Sequence, residues 1–532
     1  LHENARFVRY RTYSIPGSAH TGPFLTNGKI MNQTRTPAAL ADGNGIDADS
    51  SKSSSGRKLG LPLLTGVVIA SMIGGGAFNL PQNMAQGAGL AAVIIAWIIT
   101  LAGMFFLSNT FRTLADKRPD LKAGIYSYAR EGFGALAGFE MAWGYWLSAA
   151  FGNVAFAVLV MKTLGYFFPL FASGNSWPAI LGASLLIWVM HFVVLSGVKR
   201  AAILNVISSV LNITTITVAL CAMVVAMVMR GKGGMFAFDF WGAQQHLGSM
   251  LDQVKGTMLV TLWVFIGIEG AVVVSDRASN TAQVGTATFL GLAVCTVLYF
   301  LLSALPFGLM HQAQLAGLAA PSAAYVLQAA VGQWGALFIV VALVMSLLSC
   351  WLAWTILVAE LPYQGAKDGV FPKFLAHENR FHAPAPSLWL SSAAMQVVVF
   401  VVLFAQDAWI WLISVTGVMI LPPYLASTVF LWRWSMQPAY LASPGETARQ
   451  SLWTGVLGSV YAVWLLYAAG PKYLLLSSIF FALGVPVFWW ARREHAPGQP
   501  VFAGREALVA GLLAVLALAA IGLFAGGIVK IN

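Results

Sequence analysis

Apolar residues in this chain come in long unbroken runs separated by short polar turns, without the alternation that marks a half-buried strand. After Leu59 there are thirteen such runs, at 61–86, 88–110, 135–163, 178–197, 201–229, 254–277, 284–309, 334–361, 386–405, 408–432, 451–470, 472–491 and 506–528. A helix needs about 20 apolar residues to cross the hydrocarbon of a bilayer, and each run meets that length. The pattern predicts an all-α chain that crosses a membrane about twelve or thirteen times. Residues 1–58 differ in kind: they are rich in Gly, Ser, Thr, Asn and Asp and close on Ser51-Lys52-Ser53-Ser54-Ser55-Gly56-Arg57-Lys58. With no stretch apolar enough for a signal peptide, they read as a disordered tail. Because the chain opens on Leu1, Met31 is a candidate start and part of the tail a candidate artefact, which mass spectrometry of the native N-terminus would test.

Composition agrees with the pattern. The 532 residues are 58% hydrophobic and 9% charged, with a mean hydropathy of +0.76, against roughly 25% charged in a soluble protein. The net charge of +11 reports topology here rather than a nucleic-acid partner, since cytoplasmic loops of membrane proteins collect Lys and Arg. With the tail inside, sixteen Lys and Arg after residue 58 fall on the tail's side and six on the other. That excess predicts a cytoplasmic N-terminus, and the odd number of spans then puts the C-terminus outside. Cys221, Cys295 and Cys350 all lie within apolar runs and read as small core residues. No spacing suggests a metal, and no cofactor is expected.

Two runs cannot remain helical throughout. The first contains Ile73-Gly74-Gly75-Gly76-Ala77-Phe78-Asn79-Leu80-Pro81, and each glycine costs a helix about 1 kcal/mol relative to alanine. The sixth contains Thr261-Leu262-Trp263-Val264-Phe265-Ile266-Gly267-Ile268-Glu269-Gly270-Ala271. Irregular backbone at membrane depth persists only where protein or a watery cavity covers it. Runs one and six occupy corresponding places if the first ten runs form two inverted halves of five. Such a pair of interrupted helices marks the central site of a transporter. Three readings of the glycines compete. A phosphate loop would need a following Lys-Ser/Thr, which is missing. A close-packing groove needs only small residues. In substrate capture, the half-helix starting near Ala77 would aim its first amides at an anion such as an α-carboxylate. Carbonyls freed in run six would then take an α-ammonium, and the two features together favour an amino-acid site.

Glu269 is the sharpest candidate, because a carboxylate inside a spanning helix is costly and by default functional. Glu140 and Glu360 sit nearer the ends of their runs and read as interfacial. Trp263 and Trp354 are placed to stack on a cationic substrate. Tyr145 precedes Asn153 by two turns on the third run. His191, alone in run four, reads as a helix-packing histidine.

Taken in order, Gly74 to Pro81, Tyr145-Trp146 with Asn153, Trp263 to Glu269, and Trp354 followed by Lys367-Asp368-Gly369-Val370-Phe371-Pro372 resemble the amino acid–polyamine–organocation transporters. Within that superfamily the chain is similar to the basic amino acid/polyamine antiporters, closest to bacterial arginine/ornithine antiporters, over roughly residues 60–490. The resemblance implies a LeuT-like fold of two inverted five-helix repeats with helices one and six broken. It implies a transporter domain at 59–491, followed at 492–532 by a cytoplasmic link and an extra spanning helix. It implies that the amides of Gly74, Gly75 and Gly76 hold the substrate carboxylate and the carbonyls of Ile69, Trp263 and Ile266 its amino group. Trp354 would stack on a guanidinium and Asn153 make a polar contact. Trp263 would gate the site, Tyr145 would add an aromatic to pocket or gate, and Glu269 would link gating to pH. One departure stands out: arginine/agmatine antiporters carry serine where this chain has Gly75.

The expectation is therefore an inner-membrane exchanger of arginine for ornithine, not an enzyme. The alternatives are arginine/agmatine or lysine/polyamine exchange, and a proton-coupled lysine permease. A membrane-embedded enzyme lacks a polar catalytic set, and a channel lacks a repeated filter sequence. The partners expected are the cationic substrates and the lipid bilayer, with a homodimer left open.

Overall fold

The computed structural model describes residues 61–532 apart from 119, 122–124, 198–200, 232–235, 237–239, 244–245, 269–280, 406, 442–445 and 530–532. The tail, the end of run six and Glu269 fall outside the described residues. The first run is interrupted as its glycines require: α1 (Leu61–Met72) gives way to a 3-10 turn, Gly75–Asn79, and then to α2 (Leu80–Gly87), with Pro81 in its first turn. Proline fits there because the first amides of a helix have no internal acceptor. Run six is helical as α8 (Met250–Trp263), before a turn at Val264–Ile268. In that turn Gly267 has φ +106°, a region that disfavours any side chain.

The remaining runs fold as unbroken helices. These are α3 (Leu90–Lys117), α5 (Ala135–Leu164), α6 (Trp177–Leu195), α7 (Ala201–Arg230), α9 (Thr281–Ala304), α11 (Gln333–Lys367), α12 (Ala385–Val402) and α13 (Ala408–Ser435). Two shorter helices, α4 (Ile125–Phe133) and α10 (Ser322–Val331), occupy corresponding connections, before α5 and before α11. Beyond the ten-run core, α14 (Ala448–His495) turns at Gly470, where φ is +76° and ψ +166°, so one continuous assignment covers two crossings. The chain ends in α15 (Glu506–Ala525). Ten described helices are long and apolar enough to span on their own. The thirteen runs reduce to that number because the two broken ones yield short pieces and α14 joins two.

The packing carries the repeat. Helix α3 packs on α9, α5 on α11 and α6 on α12 across the molecule, while α5 lies on α13 as α11 lies on α7. The broken elements obey the same exchange: α1 packs on α9 and α8 on α3. Five crossings per half is an odd number, so the second half enters from the opposite side and the repeats are inverted. Helix α5 is the most enclosed of the spans and α15 the least. The outward apolar side chains, such as Ile98, Val228 and Leu508, are what a lipid-facing surface requires.

Candidate functional site

The broken ends of α1 and α8 meet beside α5. The amides of Gly75 and Gly76 head the 3-10 turn, where no intrahelical carbonyl precedes them. The Gly74 amide is already engaged, donating to Met72 O at 3.0 Å, so two of the three expected amides lead the half-helix. Alpha-helical geometry begins at Leu80, three residues later than the sequence suggested, with the 3-10 turn filling the gap. The backbone before the break is held from outside. Tyr299 Oη donates to Met72 O at 2.9 Å, and Asn212 Nδ2, itself tied to Ser346, donates to Ile73 O at 3.2 Å. These bonds supply partners that unwinding removed, as irregular backbone at this depth needs.

On α8 the Trp263 carbonyl accepts a 3.3 Å bond from the Ile266 amide, and the Ile69 carbonyl accepts from the Ile73 amide at 2.9 Å. Each carbonyl oxygen keeps a second lone pair. Gly74, Gly76, Trp263, Ile266 and Trp354 line one cavity of about 40 Å³ together with Ala77, Ser148, Gly152, Phe156, Cys350 and Thr416. A void of that size holds a few waters at most, so a bound amino acid requires its walls to move. The wall best placed to move is the Trp263 indole. It lies over Gly152, whose added Cβ would sit 3.6 Å from its Cη2, and edge-on to Trp409 at 5.9 Å between ring centres. It also lies so close to Gly76 that a Cβ there would come within 2.9 Å of its Cδ1.

The other expected residues that the structure describes lie outside that lining. Gly75 turns its missing side chain toward α11, where a Cβ would meet Leu347 Cγ at 2.7 Å. The room a serine would need is thus filled by Leu347. Asn153 is fully buried and ties two helices: its Nδ2 donates to Ala149 O at 2.8 Å and to Trp354 O at 3.3 Å, and its Oδ1 accepts from Thr355 at 3.3 Å. Tyr145 is buried about one turn before the cavity residues of α5, and Ile69 is buried behind the break. Glu269 belongs to the residues not described.

Thr416 was missed by the sequence reading. Its Oγ1 is buried without a hydrogen-bond partner among the described residues, and the residue lines the cavity, while its carbonyl accepts from Ser148 Oγ at 2.9 Å. The one signal that could have found Ser148, Gly152 and Phe156 was helical spacing around Tyr145 and Asn153. Two other expectations change. Glu140, read as interfacial, is 4% exposed, because the face of α5 that carries it turns into the bundle. Cys295 and Cys350 are buried as expected, but Cys221 is exposed. His191 packs between α6 and α12, with Nδ1 2.8 Å from Ser392 Oγ and its ring 4.3 Å from that of Trp389.

At the end of α11 the Lys367–Pro372 motif forms a clasp. Tyr126 Oη donates to Asp368 Oδ2 at 2.7 Å, Arg130 Nη1 to Asp368 O at 2.9 Å, and the His495 ring nitrogen lies 2.9 Å from Phe371 O. Burial, and then the Asp368 carboxylate, push the Tyr126 phenol well above its ordinary range, so it stays a donor at physiological pH. Gly369, at φ +74°, makes the turn that lets the clasp close.

Residues 59–496 match the family model described as "Amino acid permease". An arginine/agmatine antiporter of Chlamydia pneumoniae is 48% identical over 488 residues, covering 91% of this chain and 100% of the relative. Proteins of the same name from Chlamydia abortus and Chlamydia felis are 49% and 47% identical, each covering 89% of this chain and 98% of their own length. A full-length match of this kind, on a fold with two inverted repeats and broken first and sixth helices, leaves one assignment: the chain belongs to the amino acid permease family of the amino acid–polyamine–organocation superfamily.

Proposed function

We propose that the protein is an antiporter that exchanges extracellular arginine for internal agmatine in a bacterial inner membrane, with its N-terminus in the cytoplasm. The observation that carries this reading is the end-to-end similarity, at 48% identity, to a relative named for that exchange. The site's chemistry supports it. Arginine and agmatine share a guanidinium, whereas arginine and ornithine share an α-carboxylate. Two indoles, Trp263 and Trp354, line the cavity, and the flat guanidinium stacks well on such faces. The glycine break offers the carboxylate fewer amides than three, since that of Gly74 is occupied. A site weighted toward the guanidinium end tolerates loss of the carboxylate. Gly75 and Gly76 would hold the carboxylate of arginine, and the carbonyls of Ile69, Trp263 and Ile266 its amino group. Trp263 would open and close the cavity as one repeat rocks against the other, and Glu269 would tie that motion to pH.

Arginine/ornithine exchange remains the second reading, favoured by one observation: Gly75 stands where arginine/agmatine antiporters carry serine, and Leu347 fills the space. Proteoliposomes loaded with agmatine or with ornithine, and given radiolabelled arginine outside, separate the two. Agmatine-loaded vesicles should take up arginine and ornithine-loaded ones lag well behind. The reverse order would reject agmatine as the counter-substrate.

A further inference from the structure

Apart from Lys162 in its last turn, Glu140 is the only charged residue of α5. It is buried to 4% exposure, and neither carboxyl oxygen has a hydrogen-bond partner among the described residues. A charged side chain bonded to that end of α5 is another carboxylate: Glu506 of α15 accepts from the Leu136 amide at 2.9 Å, one turn before Glu140.

The elements packed on α5 account for this isolation. Helix α12 carries no charged or titratable residue. Helix α6 carries only His191, bonded to Ser392, and α4 has Tyr126 and Arg130 in the clasp, Tyr128 stacked on Phe430, and Glu131 paired with Arg118. On α11, Tyr363 and Lys367 engage Glu378, Glu360 accepts from Gln364, and Cys350 lines the substrate cavity. Between its Gly470 turn and Arg492, α14 has only Lys472 and Tyr473, both at the far end. Before that turn it has Arg449, Tyr461 and Tyr467, and beyond Arg492 it has Arg493, Glu494 and His495. Helix α13 has Tyr424 and, in its last turn, Arg433.

That same α13 supplies acceptors instead of donors. Pro422 and Pro423 lie inside it, and a proline leaves the carbonyl four residues earlier without its helical donor. Met419 O, one of the two released, faces α5 at Gly144, one turn from Glu140, where a Cβ would come within 3.0 Å of it. A carboxylate can only accept hydrogen bonds, whereas a carboxylic acid also donates one. Surroundings in which no cation and no hydrogen-bond donor among the described residues reaches the carboxyl suit the uncharged acid.

We propose that Glu140 is a proton-binding site of the transport cycle. It carries a proton in this conformation and releases it when the α5–α13–α14 contact opens to cytoplasmic water. On release the O–H bond breaks, the electron pair stays on the carboxylate and the proton passes to water. The inference does not depend on which amino acids are exchanged.

Infrared spectra of the full-length protein in lipid at neutral pH test the proton directly. The parent-minus-Glu140→Gln difference should contain a carboxylic-acid C=O band, which Glu140→Asp restores at a shifted frequency. A difference showing only carboxylate bands would overturn the proposal. In proteoliposome exchange, the parent's rate should fall by up to about tenfold per pH unit on the alkaline side, following the protonated fraction. Glu140→Gln, permanently neutral, should change less than about twofold per unit there. A variant that kept the parent's full pH profile would also overturn it. Should Glu140→Gln fold but not transport, the infrared difference still decides.

Discussion

Alanine at Gly76 would test whether the Trp263 indole and the glycine break are two halves of one site. The added Cβ would overlap the indole, with Nε1 nearest and Cδ1 at 2.9 Å. The ring cannot slide aside freely, because Gly152, Trp409 and Phe156 hold its other edges. Its open direction is the cavity of about 40 Å³. Overpacking a fitted site costs about 1–3 kcal/mol, and if that cost falls on substrate binding it is roughly a 5–150-fold loss of affinity. Gly417→Ala on α13 is the matched control, since its Cβ would meet Leu259 and Leu262 at the ordinary distances of 3.4 and 3.5 Å. Radiolabelled arginine binding to purified protein, with thermal unfolding in parallel, separates affinity from folding. Gly76→Ala should lose affinity by at least about fivefold with a small change in Tm, and Gly417→Ala should lose little of either. Pairing Gly76→Ala with Trp263→Phe, which removes the overlapping ring edge, should recover part of the loss. Parent-like affinity in Gly76→Ala would show that the indole is not pinned there, and the reasoning about a shared site would fail.

Three other outcomes follow from the same geometry. Thr416→Val removes a buried hydroxyl that has no partner among the described residues, so Tm should hold or rise. Arginine affinity should fall by the roughly 1.5–3 kcal/mol of a hydrogen bond to a charged group, and parent-like affinity would take Thr416 out of the site. Asn153→Leu breaks the α5–α11 tie, so Tm should fall in line with the roughly 0.6–1.7 kcal/mol measured for such bonds in membranes. Its KM should change less than its Tm implies, and the opposite pattern would make Asn153 a substrate contact. Beyond the end of α3, the hydrogen bond from Arg118 holds the Asp120 carboxyl below its ordinary range. That stabilisation is present above the usual carboxylate pKa and lost as pH falls through the lowered one. Parent and Asp120→Asn should therefore differ in Tm near neutrality, by under about 1 kcal/mol for an exposed pair, and converge in acid. A gap that widens in acid would contradict the linkage.

The crossings and both breaks were legible because length and glycine act locally. An apolar run must span, and Gly74–Gly76 or Gly267 must interrupt. Which face of each helix turns inward was not legible. A span surrounded by lipid and by other helices is apolar on every side, so periodicity carries little information about direction. That is why Thr416 was overlooked and why the enclosure of Glu140 was not foreseen. The engagement of the Gly74 amide by Met72 was invisible for another reason: it depends on how the chain unwinds, not on which residues unwind. The serine-to-glycine departure at position 75 became intelligible only with Leu347 beside it, from a helix more than 250 residues further along.

Voltage tests the central claim, an exchange of arginine for agmatine, most directly. Arginine carries one net positive charge and agmatine two, so each uptake cycle moves one positive charge outward. A membrane potential contributes about 2.3 kcal/mol per charge per 100 mV. In agmatine-loaded proteoliposomes clamped by potassium and valinomycin, arginine uptake should accelerate when the interior is made positive and slow when it is made negative. Uptake driven by agmatine yet indifferent to voltage, or supported only by ornithine, would contradict the account.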